Sequence, residues 1–277
     1  MSALVLVATP IGNLGDLAPR ALATLRDADV IAAEDTRRTR ALLTHAGIPA
    51  AGRLRAVHAH NERRSAEWIV DAVREGKRVA YVTDAGMPGI SDPGAHLVRA
   101  CLDADLPVEV VPGPSAVLTA LVLSGLPTER FVFEGFLPRR GPARRNRISA
   151  LVTEPRTAVL FEAPSRVRTT LADLLAACGP LREVAVAREL TKVFEAVWRG
   201  ELAGAAAGVG DEPRGEHVIV LAPAHPTPEA GEAEIDAHVR TALAEGLSTR
   251  DAAARVAADL RVPRRSAYDA AMRLRER

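Results

Sequence analysis

The chain has 277 residues, with 36 Lys and Arg against 35 Asp and Glu, and a formal net charge of +1. This length allows one large or two medium domains with a substantial core, and the balanced charge excludes the strong overall basicity of many nucleic-acid-binding domains. No stretch reaches membrane-spanning length, and the apolar start MSALVLVATP lacks a preceding basic segment. We therefore expect a cytoplasmic protein with no signal peptide and no membrane partner.

Short β-rich runs alternate with helical patterns in the first half of the chain. Strands are predicted at 4–8, 29–34, 78–83 and 107–111. The helices between them are predicted to begin at Asp16, Thr36, Ser65 and Pro93. Alternation of this kind is typical of an α/β domain with a largely parallel sheet, which we place at residues 1–113.

The second half repeats this theme with a different connection pattern. Strands are predicted at 131–136, 157–163, 183–189, 193–200 and 217–222. Helices are predicted near 115–124, 143–152 and 165–178. Because no helix separates the late strands, we expect consecutive ones to pair as antiparallel neighbours. This second α/β domain is placed at residues 114–224.

The composition changes after Leu221, where residues 222–234 have the Pro, Ala and Glu content of a linker. Residues 235–277 predict a small helical C-terminal domain, with two helices joined by a turn around Val262 and Pro263. This pattern resembles a helix-turn-helix, but a simple packing hairpin would produce it too. We predict no DNA partner for it.

Three loops that follow predicted strands are rich in Pro and Gly: TPIGNLGD, DAGMPGISDPG and PGPSA. In a doubly wound sheet such loops meet at the carboxyl ends of the strands and bind the ligand. None has the spacing of a dinucleotide or P-loop motif, and their prolines lack the backbone N–H groups that bind phosphate. The loops therefore predict a ligand without phosphates, approached closely by backbone at Gly86, Gly89 and Gly113.

Longer motifs resemble one known family in collinear order from residue 3 to about residue 222. They include LVATPIGNLGDLAPRAL, AAEDTRRTRALL, DAGMPGISDPG, VEVVPGPSAVLTALVLSGL, FEGFLPR, FEAPSRVRTTLADL, ARELTKVFE and GEHVIVL. Together they resemble the ribosomal RNA small subunit methyltransferase I family, a branch of the tetrapyrrole methylase superfamily. The tail is also similar to the small C-terminal domain of that family.

The resemblance implies two α/β domains of the tetrapyrrole methylase type, with S-adenosyl-L-methionine in the cleft between them, in a homodimer. It implies methylation of the ribose 2′-hydroxyl of a cytidine in the decoding region of 16S ribosomal RNA, within the small ribosomal subunit. The residues that it places around the cofactor are Pro10, Asp84, Gly86, Met87, Pro88, Gly89, Ile90, Ser91, Ser115, Ala116, Phe136, Leu137, Phe161, Glu162 and Ala163. Met87 stands where this branch commonly has Thr, so backbone contacts are expected there.

A sugar hydroxyl is a weak acid, and a positioned base would help to remove its proton. The candidates, in order of preference, are Lys192, Asp35 and Glu62. Lys192 can act as a base only if its pKa is lowered, and otherwise would hold a phosphate. Asp35 is equally consistent with a helix cap. Glu62 lies in HAHNE, where no distal ligand cluster completes a metal site, so we predict no metal.

The arginines are clustered, although charge alone fits a solvated face equally well. The resemblance places them at the mouth of the cleft, where the RNA backbone would pass. The predicted RNA contacts are Arg37, Arg38, His60, Asn61, Arg139, Arg140, Arg144, Arg145 and Arg147. Two alternatives are a tetrapyrrole carbon methyltransferase and a non-catalytic assembly protein that binds ribosomal RNA.

Overall fold

The computed structural model describes residues 1–50, 52–208, 214–224, 232–260, 262 and 264–275. The chain forms two compact units, Met1–Pro223 and Ala224–Arg277. Within the described residues, no helix is both long enough and apolar enough to cross a membrane. The predicted boundaries at residues 113 and 224 stay a prediction.

The first sheet contains five parallel strands in the order β3-β2-β4-β1-β5. They are β1 (Ala3–Val7), β2 (Val30–Ala33), β3 (Leu54–Ala56), β4 (Arg78–Val82) and β5 (Val108–Val111). β1 is buried along its whole length and β4 along nearly all of it, as expected for strands covered on both faces. The predicted parallel sheet is confirmed, but β3 was missed because this short edge strand has no apolar run.

Helices cover both faces of this sheet and close two apolar cores. They are α1 (Pro19–Asp27), α2 (Thr36–His45), α3 (Glu62–Arg74) and α4 (Ala95–Asp103). Two predicted starts were wrong. Asp16 lies in a short 3-10 helix, Leu14–Asp16, and α1 begins only at Pro19. α3 begins at Glu62, one turn before Ser65.

The second sheet has the order β6-β7-β10-β8-β9 and is mostly antiparallel. Its strands are β6 (Phe131–Phe136), β7 (Thr157–Glu162), β8 (Glu183–Arg188), β9 (Ala196–Glu201) and β10 (His217–Leu221). Only β6 and β7 pair in parallel. The antiparallel pairing predicted for the late strands is confirmed for β8 and β9, which are joined without a helix.

Four helices pack on this sheet: α5 (Ala116–Ser124), α6 (Pro142–Val152), α7 (Pro164–Cys178) and α8 (Leu202–Gly208). One face of the sheet packs against α6, α7 and α8. The other face packs against α5, and Ile11 from the loop after β1 lies in the same core. The first half of the chain therefore contributes directly to the core of the second sheet.

The C-terminal unit is a three-helix cluster in the part of the chain that is described. α9 (Glu232–Ala244), α10 (Thr249–Asp259) and α11 (Arg264–Arg275) pack on one another through small and aliphatic residues. Ser248 caps α10 by accepting from the Asp251 N–H. Most of the predicted linker, residues 225–231, and Pro263 of the predicted turn lie outside the described residues.

We expect Ile219→Ala to destabilise the protein by about 2–5 kcal/mol, because the side chain is fully buried in the central strand β10 and its loss leaves a cavity. Urea unfolding measures the change. The control Leu181→Ala alters an exposed side chain and should change stability by no more than about 0.5 kcal/mol. Equal effects of both substitutions would contradict the assigned core.

Candidate active site

Loops from three strand ends of the first sheet lie together. Thr9 and Gly86 exchange two backbone hydrogen bonds of 3.0 Å, which tie the loop after β1 to the loop after β4. Gly86 has a φ of +76°, in the left-handed region that glycine adopts without strain. A Cβ on Gly113, in the loop after β5, would lie 2.8 Å from the Ala8 Cβ. Close backbone packing therefore brings these loops to one place.

The loop after β1 also contacts the second half of the chain. The Asn13 N–H donates to the Thr191 Oγ1 at 3.1 Å. A Cβ on Gly12 would lie 2.5 Å from the Lys192 Cγ, which leaves no room for a side chain at that position. With Ile11 buried in the second core, this turn fixes the two halves against each other.

A cavity of about 380 Å³ lies where these loops meet the second sheet. This volume lies within the usual range of small-molecule sites. The first half contributes Ile11, Ala85, Gly86, Met87, Ile90, Ser91 and Asp92. The second half contributes Ser115, Ala116, Val117, Phe136, Phe161, Glu162, Ala163, Pro164, Leu190, Glu216, His217 and Val218.

Most residues predicted around the cofactor lie in the wall of this cavity. They are Gly86, Met87, Ile90, Ser91, Ser115, Ala116, Phe136, Phe161, Glu162 and Ala163. The others, Pro10, Asp84, Pro88, Gly89 and Leu137, belong to the same loops but are not wall residues. Their role in cofactor binding stays a prediction.

Several wall residues were missed from the sequence, notably Ile11, Asp92, Val117, Leu190 and His217. Ile11, Asp92 and Val117 each stand next to a predicted site residue, whereas Leu190 and His217 lie in the motifs ARELTKVFE and GEHVIVL without a predicted neighbour. Leu190 follows the buried strand β8, and His217 begins the buried strand β10. Position at a strand end was therefore a usable signal for both residues.

Three carboxylates cluster behind the loop after β4. The Asp84 N–H donates to the Glu34 Oε2 at 3.2 Å, and the Asp84 Oδ1 is buried without a hydrogen-bond partner among the described residues. Burial raises the pKa of Glu34. Burial, with the charges of Glu34 and Asp84, raises the pKa of Asp92 to about 7. Asp92 in the wall, with Glu34 and Asp84 behind it, therefore favours a cationic ligand.

Lys192 is held as an ammonium group in this arrangement. It donates to the Glu189 Oε1 and to the Glu216 Oε2, each at 2.9 Å. Partial burial opposes the charge, but the two carboxylates outweigh it and raise the pKa of Lys192. This environment favours the alternative in which Lys192 holds a phosphate, and its role as a base stays a prediction.

The other two candidate bases hold helix ends. Asp35 accepts from the Arg37 N–H at 2.8 Å and caps α2, and this hydrogen bond lowers the pKa of Asp35. Glu62 is buried, and its Oε1 accepts from the N–H groups of Gly94 and His96 at the start of α4. Both carboxylates bind backbone N–H groups and lie outside the cavity wall, and their roles as bases stay predictions.

One predicted RNA contact, Arg144, lies inside the protein. Its guanidinium donates to the Asp173 carboxylate, the Thr170 Oγ1 and the Pro138 carbonyl. The side chain is buried and bound within the protein, and its contact with RNA stays a prediction. Arg144 connects α6 to α7.

The remaining predicted RNA contacts are on the surface. Arg139, Arg140 and Arg145 are exposed, and none of them forms an ion pair in the described part of the chain. Arg147 pairs with Glu134, Arg37 with Asp35 and Arg38 with Asp84. His60 is exposed, whereas the Asn61 side chain binds the His58 N–H and the Ala56 carbonyl.

A second cavity of about 640 Å³ adjoins the first. Its wall consists of Phe136, Leu137, Pro138, Arg139, Ala163, Ser165 and Arg166. Phe136 and Ala163 belong to the walls of both cavities. Across the described ranges, no three His, Cys, Asp or Glu residues are placed to hold a metal ion.

Three non-glycine residues near the first cavity have left-handed backbone. They are Ser91, Glu189 and Thr191, with φ of 63°, 52° and 65°. Such conformations are sparsely populated for residues with a Cβ, least of all for a β-branched one, and they concentrate at functional sites. The loop that carries Lys192 is therefore held in shape by its surroundings.

The fold, with a cavity where its two sheets meet, is that of a class of proteins, the tetrapyrrole methylases. Residues 3–206 match the family described as Tetrapyrrole (Corrin/Porphyrin) Methylases. Uroporphyrin-III C-methyltransferase from Thermus thermophilus, solved in complex with S-adenosyl homocysteine, has a TM-score of 0.56 at 21% identity over 79% of this chain and 96% of that chain. Cobalt precorrin-4 methyltransferase has a TM-score of 0.59 at 18% identity, over 80% and 95%. The predicted fold class is confirmed.

Sequence relatives narrow the class. A protein of Synechocystis sp. named ribosomal RNA small subunit methyltransferase I is 43% identical over 99% of both chains. One of Mycobacterium bovis with the same name is 45% identical over 98% of this chain and 95% of its own. Residues 229–275 match the RsmI C-terminal HTH domain. The chain belongs to the ribosomal RNA small subunit methyltransferase I family, as the sequence motifs predict.

We expect Arg144→Ala to destabilise the protein by about 1–3 kcal/mol, because it leaves Asp173, Thr170 and the Pro138 carbonyl without their donor. The neighbouring exposed residue provides a matched control, Arg145→Ala, which should leave the urea midpoint almost unchanged. A larger loss for Arg145→Ala would contradict the buried network.

Proposed function

We propose that this protein transfers a methyl group from S-adenosyl-L-methionine to the ribose 2′-hydroxyl of a cytidine in 16S ribosomal RNA of the small subunit. The observation that carries the proposal is a cavity with Asp92 in its wall next to an arginine rim. The rim consists of Arg139, Arg140 and Arg145, which are exposed and form no ion pair within the described residues. The names of the relatives support ribosomal RNA as the substrate.

The cofactor fits the residues that form the cavity. S-adenosyl-L-methionine has a sulfonium and an ammonium group and no phosphate, and it supplies an activated methyl group when bound. Asp92, whose carboxyl has its pKa raised to about 7, and the unpartnered Asp84 Oδ1 suit a cationic ligand. The homologous fold solved with S-adenosyl homocysteine supports this cofactor class.

The apolar wall would keep water from the reacting atoms. Ile11, Val117 and Leu190 are buried and line the cavity. Methyl transfer needs the acceptor oxygen in line with the methyl carbon and the sulfur, and a rigid, dry wall favours that alignment. The hydrogen bonds between Thr9 and Gly86 fix one side of this wall.

His217, in the cavity wall, can accept the hydroxyl proton. Burial lowers the pKa of His217, so its imidazole is neutral. The Nδ1 lies 2.9 Å from the Gly215 carbonyl, so this nitrogen carries the proton and Nε2 is the basic one. Lys192, held by two carboxylates, would instead bind a phosphate.

The arginine rim would hold the RNA backbone. Arg139 lies in the wall of the second cavity, Arg140 follows it in the chain, and Arg145 is exposed on α6. Cations at such positions bind phosphates and make affinity depend on salt. The homodimer, the cytoplasmic location and the part played by the C-terminal unit stay predictions.

We expect affinity for S-adenosyl-L-methionine to rise by up to about tenfold from pH 6 to pH 8. The Asp92 pKa of about 7 in the free protein is lowered by a bound cation, so binding releases a proton and strengthens as pH rises through that value. Isothermal titration calorimetry measures the dissociation constant.

Asp92→Asn should remove this part of the pH dependence. The control Asp27→Asn changes an exposed carboxylate at the end of α1 and should retain it. The same pH profile in all three proteins would count against a role for Asp92 in holding the cation.

Labelled S-adenosyl-L-methionine should transfer its methyl group to small ribosomal subunits from cells that lack this protein, and not to uroporphyrinogen. Nuclease digestion and mass spectrometry should then find 2′-O-methylcytidine in the 16S RNA. Transfer to the tetrapyrrole alone would reject the proposed function.

A further inference from the structure

We infer that the 640 Å³ cavity binds the acceptor nucleotide, turned out of the RNA, with its base stacked on Phe136. This inference rests on the proposed function and specifies how that substrate is held. Enzymes that modify a base turn the target nucleotide out of its stack into a pocket, and a ribose that has to reach a methyl group in the 380 Å³ cavity can be delivered in the same way.

The position of this cavity meets that requirement. Phe136 and Ala163 form the border that it shares with the 380 Å³ cavity. Ala163 is a small residue at the point where β7 ends and α7 begins, so little side-chain bulk separates the two spaces. A ribose at this border would direct its 2′-hydroxyl into the first cavity.

Phe136 is placed as a stacking surface. Its side chain is 53% exposed, which is unfavourable for so large an apolar group unless a partner covers it. The ring meets the Phe161 ring edge to face at 5.6 Å, and Phe161 meets Phe133 in the same way at 4.9 Å. The exposed ring is therefore backed by a row of rigid aromatic groups.

The strand geometry is consistent with this placement. The pairing of β6 with β7 shifts register between Phe133 and Gly135, and Gly135 has a φ of +63°. A bulge of this kind re-aims the side chain that follows it and is common beside active sites. A regular strand would alternate Phe133 and Phe136 onto opposite faces, whereas here both rings pack on Phe161.

The charges in the wall suit a nucleotide. Arg139 is exposed. The Arg166 guanidinium is fixed by the Glu162 carboxylate at 2.6 Å and by the Leu137 carbonyl at 3.0 Å, so it neutralises that carboxylate. A flat aromatic surface with cations next to it matches a base and its phosphate.

Phe136→Ala should lower kcat/KM for methylation of unmethylated small subunits by about 5- to 100-fold, the usual effect of losing a base-stacking ring. Phe136→Tyr keeps the ring and should retain most of the activity. Phe131→Ala, which removes a part-exposed ring at the other end of β6, is the matched control and should match the wild type. S-adenosyl homocysteine affinity, measured by calorimetry, should fall much less than kcat/KM in Phe136→Ala, where the ring also forms part of the cofactor cavity, and should change less than about twofold in Phe131→Ala.

Three other outcomes would each overturn either the nucleotide site or the proposed function. Wild-type activity in Phe136→Ala overturns the inference and leaves the proposed function intact. A loss of S-adenosyl homocysteine affinity as large as the loss of kcat/KM also overturns it, because Phe136 would then serve only the cofactor. A wild-type protein active on uroporphyrinogen alone rejects the proposed function itself.

Ultraviolet cross-linking provides a second readout that does not depend on activity. The wild-type protein, bound to unmethylated small subunits with S-adenosyl homocysteine, should cross-link through the peptide containing Phe136. The nucleotide in the cross-link should be the one that is methylated, or its direct neighbour. Cross-links confined to other peptides would contradict the nucleotide site.

Discussion

The turn after β1 is the constraint on which the rest of the site depends. It is paired with Gly86 through Thr9 on one side, and on the other it inserts Ile11 into the core of the second sheet. Between these points, Gly12 has no room for a side chain against Lys192. Two separate sheets thereby become one compact unit with a cavity between them.

Negative and positive charges lie at different depths in this protein. The formal net charge of +1 hides a carboxylate cluster behind the cavity wall and arginines on the surface beside it. Where the two meet, ion pairs such as Arg38 with Asp84 and Arg166 with Glu162 separate the inner and outer charges. A cationic cofactor and an anionic polymer can then use adjacent spaces without competing for the same groups.

The fold was largely predictable from sequence because buried parallel strands and Pro- and Gly-rich strand ends are local signals. The roles of individual polar side chains were less predictable. Lys192 is held as a cation by Glu216, and Glu62 accepts from the Gly94 N–H at a helix end. Both partners lie far from these residues in the chain. Arg144 looks like its exposed neighbours in sequence and differs only in burial. Asp92 follows a run of turn residues, and its pKa is raised mainly by burial and then by the charges of Glu34 and Asp84.

The left-handed backbone at Glu189 and Thr191 affects how this segment can diverge during evolution. Most replacements at these two positions would inherit the same steric penalty, and only glycine, asparagine or aspartate would relieve it readily. Sequence drift there is thus limited by the shape of the main chain, even where the side chain itself touches no substrate. At Thr191, the hydroxyl accepts from the Asn13 N–H, and this hydrogen bond offsets part of the conformational cost.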